Sequence, residues 1–239
     1  MTSEKKEPGM SLPPSARPGL RPHDARPMGR GGFTLIEMLV VMGIIAVLAG
    51  TLIIGLPAML RAGDVSAMET WITSLAAQIE AYENRPRNGD YPPTSIDESF
   101  PGVGPLYSKE NCGIEAVVVC LNRRGEAGSY TFEDNKVVVL DNFDGDRSKD
   151  LLTNFETPEL FEVIDRWETP LAYFHHRDYA AVEARNLGRI TLADGSIIQV
   201  RPWRNPKTKT FYNSRTFQII SAGPDKEFNT EDDITNFSR

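Results

Sequence analysis

The chain has 239 residues, a formal net charge of −7, 40% hydrophobic and 25% charged residues, enough for one globular domain plus a further segment. The charge is uneven: residues 1–32 hold six Lys/Arg and three Asp/Glu, whereas the rest holds 20 and 30. The larger part is therefore acidic, which excludes the basic footprint of a nucleic-acid binder and suits cations.

Residues 1–32 contain six prolines and five glycines and little that could form a core, so they read as a disordered, cytoplasmic basic leader. Then comes Gly31-Gly32-Phe33-Thr34-Leu35-Ile36-Glu37, followed by 23 residues, Met38–Leu60, without a charged side chain. As a helix that run reaches about 34 Å, enough for a hydrocarbon core of about 30 Å. Arg21, Arg26 and Arg30 precede it, and Arg61 just after it is balanced by Asp64. That asymmetry keeps the N-terminus cytoplasmic and exports the remainder. The run is too long for a usual signal-peptide h-region and has no convincing A-x-A site at its end. Glu37 is an isolated carboxylate at the edge of this span, a placement costing on the order of a few kcal/mol toward the bilayer centre and less at the interface. It needs a partner.

Gly-Phe-Thr-Leu-Ile-Glu ahead of an apolar helix resembles the class III leader of type IV pilins and type II secretion pseudopilins. The resemblance implies cleavage by a membrane-embedded prepilin peptidase between Gly32 and Phe33, and methylation of the new N-terminus at Phe33. It also implies that Glu37 answers the terminal amine of a neighbouring subunit during filament assembly.

The first helix is expected from Thr34 to Arg85. Val65, Met68, Ile72, Leu75, Ile79 and Tyr82 repeat at three-four spacing, and Pro86 disfavours helix at the residue before it. Pro57 is expected to kink its apolar half. Asn88-Gly89-Asp90-Tyr91-Pro92-Pro93-Thr94 is a turn by composition and resembles the Gly-x-Tyr-Pro segment after the long helix of major pseudopilins. Residues 111–122 fit a short helix, although Val117-Val118-Val119 would equally suit a buried strand. Cys112 and Cys120 would lie about 12 Å apart on such a helix, too far for a disulfide, and read as free buried thiols; in a loop they could pair. Strands are expected at Ser129–Phe132, Lys136–Leu140, Leu171–His175, Arg189–Leu192, Ser196–Arg201 and Phe211–Ile220, with a hairpin turn at Ala193-Asp194-Gly195. Helices first and strands afterwards predict an α+β fold with a small antiparallel sheet.

The strongest concentration of chemistry lies in Ser221-Ala222-Gly223-Pro224-Asp225 through Asp232-Asp233-Ile234, with five acids within nine residues from Asp225. Calcium takes six to eight oxygens from carboxylates and carbonyls on a loop that can curl round it. The segment resembles the calcium loop of major pseudopilins, which implies Ser221, Asp225, Asp232 and Asp233 as ligands of a Ca2+ ion. Lys226 and Asn229 stand where that family commonly has glycine. A second acidic cluster, Asp141 to Asp146 with Asp150, fails the EF-hand frame: Gly145 at the sixth position puts Leu140 at the first. It reads as a polar turn.

Asp165-Arg166-Trp167-Glu168-Thr169-Pro170-Leu171-Ala172-Tyr173 resembles the family's Asp-x-Trp-Gly-x-Pro-x-x-Tyr segment, with Glu168 in place of glycine and Trp167 as a core plug. His175 and His176 are adjacent; on a strand they would face opposite ways and could not readily share a metal. His23 lies in the leader. With no nucleophile elbow, P-loop, dinucleotide fingerprint or zincin motif, the sequence offers no catalytic set. Arg201–Lys209 is a basic loop with one aromatic, expected to meet an acidic neighbouring subunit.

The resulting expectation is a pilin-like chain in three parts: a removed leader at 1–32, a transmembrane and filament-core helix at 33–61, and an exported globular domain at 62–239. Resemblance implies a structural subunit of a pseudopilus in type II protein secretion. Its partners would be further copies of itself, the prepilin peptidase and the inner-membrane assembly platform. It would be single-pass in the inner membrane with a periplasmic C-terminal domain. The alternatives are a minor or adhesive pilin whose head binds a ligand or DNA, and a membrane-anchored hydrolase.

Overall fold

A computed structural model describes residues 32–96, 110–126, 129–132 and 137–239. The leader up to residue 31 lies outside the described residues. The chain divides into two compact units, Met1–Gly50 and Thr51–Arg239. Helix α1, Leu35–Glu83, contributes to both.

In the first unit, α1 opens on a capping box. Thr34 Oγ1 accepts from the Glu37 amide (3.2 Å), and Glu37 Oε2 accepts from the Thr34 amide (2.7 Å) and hydroxyl (2.9 Å). Every residue from Gly32 to Gly50 is exposed, including Phe33, Leu35, Ile36, Leu39, Ile44 and Leu48. Among the described residues no helix is long and apolar enough to cross a membrane. Residues 52 and 54–58, whose side chains lie outside that description, interrupt the Met38–Leu60 run.

In the second unit, α1 buries Met68, Trp71, Ile72, Leu75, Ile79 and Tyr82, the face the periodicity predicts with Trp71 added. The helix stops at Glu83, two residues before the position set by Pro86 alone. The Tyr82 carbonyl accepts from the Arg85 amide and from Asn88 Nδ2, and the Glu83 carbonyl accepts from the Gly89 amide. Helix α2, Cys112–Leu121, is buried at all ten residues. Burial on every side overrides the strand preference of Val117-Val118-Val119. Cys112 and Cys120 are free and buried there.

Among the described residues the strands form three small antiparallel sheets rather than the single one expected. β1 (Val138–Asp141) pairs with β2 (Glu162–Asp165), placing Asp141 opposite Glu162. β3 (Ala172–His175) pairs with β6 (Phe217–Ser221), which pairs with β7 (Ile234–Thr235). β4 (Arg189–Thr191) and β5 (Ile197–Gln199) make a hairpin, with the Gly195 amide donating to the Leu192 carbonyl in the predicted turn. Ser129–Phe132 forms no strand, and Phe132 instead plugs the core. The Phe211–Ile220 strand shortens to β6 because Asn213–Thr216 closes a turn with left-handed Asn213. β2 is an additional strand; its buried Glu162 and Asp165 bracket Val163-Ile164 and mask the apolar signal.

The main core joins the α1 face to Ile114, Val117, Val118 and Leu121 of α2 and to Val163, Tyr173, Phe217 and Ile219 of the sheets. The α2–β3 approach is close enough that a Cβ at Gly113 would collide with the Tyr173 carbonyl.

Candidate functional site: a processing motif and two acidic loops

Gly32 and Phe33 are exposed, immediately ahead of the capping box that holds Glu37. The Thr-x-x-Glu spacing is itself a sequence signal for that box. Glu37 is thus partnered within its own chain by Thr34.

The C-terminal loop follows β6 through a 3₁₀ turn, Gly223–Asp225. Gly223 has φ +71°, and a Cβ there would collide with the Asp232 carbonyl, so the loop closes on glycine. Lys226 (φ +63°), Asn229 (φ +66°) and Glu168 (φ +66°) all adopt the left-handed backbone for which glycine is favoured. The three departures from the family pattern therefore keep the backbone shape that glycine would give. Lys226 Nζ and Glu168 Oε2 form an ion pair of 3.2 Å.

Each side chain expected to bind an ion in this loop takes at least one hydrogen bond from a donor of the chain itself. Ser221 Oγ donates to Asp165 Oδ2 (2.6 Å) and accepts from the Gly223 amide. Asp225 Oδ1 accepts from the Glu227 amide, and Asp232 accepts from the Asp225 amide and the Thr230 hydroxyl. Asp233 Oδ2 accepts from Trp203 Nε1 (2.7 Å) and the Asn229 amide (3.0 Å), while its Oδ1 is buried without a partner. Burial, partly offset by these hydrogen bonds, raises the Asp233 pKa. The guanidinium of Arg239 donates to the carbonyls of Thr230, Glu231 and Asp233 at 2.7–2.8 Å, and it lies 4.7 Å from the Trp203 ring centroid. A cationic side chain of the chain itself therefore occupies the carbonyl face of the loop. Among the described residues the only three-carboxylate convergence within 4.8 Å lies elsewhere. An ion held by Ser221, Asp225, Asp232 and Asp233 would have to displace donors of the chain itself, Arg239 and Trp203 among them.

The basic loop meets this acidic loop within the chain: Trp203 reaches Asp233, and Asn229 exchanges hydrogen bonds with the Arg201 backbone. Asp165, absent from the expected site residues, organises the Trp turn. Its Oδ1 accepts from the amides of Trp167 and Thr169, and its Oδ2 from Ser221. Burial pushes its carboxyl up to about 6 against these bonds. Trp167 packs half-buried on the core.

His175 ends β3 and His176 leaves it, so the rings do not face opposite ways; they lie 4.4 Å apart. His175 Nδ1 accepts from the Arg177 amide, which makes Nε2 the donor to Asp90 Oδ1 (3.1 Å). This is a neutral imidazole bonded to a carboxylate. Burial lowers the His175 pKa more than Asp90 raises it.

The second acidic cluster, by contrast, is drawn together. The Asp141–Asp146 turn folds over the start of β2, where Glu162 meets Glu115 of α2.

A capped, exposed apolar helix leads into an α+β unit. Residues 27–53 match the model of the prokaryotic N-terminal methylation motif, the signal of type IV pilins and pseudopilins. The motif implies prepilin peptidase processing and pilus-like assembly, and it is typical of membrane-anchored pilin-like proteins. No curated protein and no solved structure matches the chain.

Proposed function

We propose that the chain is a pseudopilin: a structural filament subunit cut between Gly32 and Phe33, N-methylated on Phe33, and assembled for type II protein secretion. The observation that carries this reading is the methylation motif at 27–53, which takes in Phe33 and the start of a helix whose apolar residues are exposed from Leu35 to Leu48. Such a surface needs lipid or a neighbouring helix. Residues 33–61 span the inner membrane before assembly, with 62–239 on the periplasmic side. In the filament, helix burial replaces lipid contact, so association depends on packing and on the Glu37–amine pair. The role is structural rather than catalytic.

Mass and N-terminal sequence of the protein from membranes containing a prepilin peptidase test the reading. A mature chain beginning with N-methyl-Phe33 is expected. An uncut chain, or a cut after Leu60, overturns it. The second reading, a minor or adhesive pilin, draws on the groove lined by Arg201, Trp203, Arg204 and Phe211. An oligosaccharide or single-stranded DNA that raised the melting temperature would favour it.

A further inference from the structure

The acids that converge are Glu115, Asp144 and Glu162. One carboxylate oxygen from each lies within 4.8 Å of the other two. They come from three elements: Glu115 from the first turn of α2, Asp144 from the turn after β1, and Glu162 from the first residue of β2. The turn is held in place from within. Asn142 Oδ1 accepts from the Gly145 amide, Asn142 Nδ2 donates to the Asp146 carbonyl, and Asp144 Oδ1 accepts from the Asp146 amide. It is also tied to Glu162, whose Oε2 accepts from the Phe143 amide (3.1 Å).

Two members of this neighbourhood are orphaned. Glu115 is 1% exposed and its Oε1 has no hydrogen-bond partner. Asp146 is 5% exposed and neither carboxylate oxygen has one. Buried polar atoms are almost always paired, and buried charges are paired or coordinate metals. The strongest charges acting on Glu115 are those of Asp146, Asp144 and Glu162, all negative.

We infer that Glu115, Asp144, Asp146 and Glu162 form a binding site for a calcium-class divalent cation, which locks α2 to the β1–β2 sheet. The chemistry of the donors selects the ion. All are hard oxygens, which excludes soft-metal chemistry and leaves calcium, magnesium or manganese. Three of the four are buried, leaving little room for the several waters magnesium retains, whereas calcium tolerates irregular carboxylate geometry. The site is separate from the C-terminal loop and independent of filament assembly. Its competitor is the proton, which would neutralise the same carboxyls without a metal.

The test uses the full-length chain in detergent, stripped with chelator and titrated with CaCl2 by calorimetry and thermal unfolding, with MgCl2 in parallel. One calcium per chain is expected, with a melting temperature that rises with calcium concentration. Glu115→Gln and Asp146→Asn are expected to weaken binding at least tenfold and to leave the metal-free melting temperature unchanged or raised. Asp144→Asn, at the half-buried member, is the variant least able to disturb folding and is expected to weaken binding as well. Asp232→Ala is expected to retain the calcium response. No binding and no shift in the wild type would leave a proton-shared cluster and overturn the inference. A response lost in Asp232→Ala but kept in Asp144→Asn would place the ion in the C-terminal loop and overturn it equally.

Discussion

Glu37 has two possible partners, and the nearer is in its own chain. Its carboxylate accepts from the amide and hydroxyl of Thr34. Pairing with another subunit's amine must share or displace that cap. Thr34→Ala is expected to cost about 1 kcal/mol at the helix start. Hydrogen exchange at the amides of residues 35–37 should then quicken about fivefold, with exchange in α2 unchanged. His175 supplies a pH prediction. Its folded pKa lies below the ordinary 6.5 because burial disfavours the charged ring. Its contribution is therefore complete above about 6.5, where the unfolded chain is also neutral, and is lost as pH falls below that value toward the folded pKa. Asp90 is the acid facing it, with His176, Arg177 and Asp178 nearby. Asp90 also has a lowered pKa: burial works to raise it, but hydrogen bonds from His175 and Tyr91 prevail, so its own contribution is lost only at more acid pH. Urea midpoints should show the advantage of wild type over His175→Gln shrinking between pH 7.5 and 5.5. An advantage independent of pH would contradict the assignment.

Among the elements, α2 ties the packing together. All ten residues are buried, and it rests on both β2 and β3. Gly113 permits the second of these contacts, since any side chain there meets the Tyr173 carbonyl. Gly113→Ala is expected to destabilise by about 1–3 kcal/mol, the range for forcing atoms into a packed core. A chemical-denaturation midpoint reads this directly, and an unchanged midpoint would mean that α2 and β3 sit further apart. The C-terminal loop is likewise an element held from outside: Trp203 and Arg239 supply donors that its own acids and carbonyls need.

At the scale of the molecule, the two units answer to different forces. The exposed apolar helix of the first unit needs a hydrophobic environment or other helices, whereas the second has its own core. Glu37→Gln should accordingly leave the thermal transition of the second unit in place and reduce filament recovery in a shear assay. Loss of that thermal transition would show that Glu37 serves folding. An intact filament yield would remove the assembly role proposed for it.

The sequence by itself determined the processing motif, the amphipathic face of α1, the α+β class and the Ala193–Gly195 hairpin, because each is written in local spacing or in turn chemistry. It also marked Glu168, Lys226 and Asn229 as residues standing where glycine is usual, and the left-handed backbone at all three shows why. Tertiary structure decided what depends on distant neighbours. Val117-Val118-Val119 became helix because every side is buried. Glu162 and Asp165 became strand residues whose charges hid the apolar pair between them. The acids crowded in sequence near the C-terminus took their hydrogen bonds from Trp203, Thr230 and backbone amides. Glu115, Asp144 and Glu162, 47 residues apart from first to last, were brought within 4.8 Å. Sequence adjacency records how charges are distributed along a chain; only folding decides which of them must share one desolvated volume.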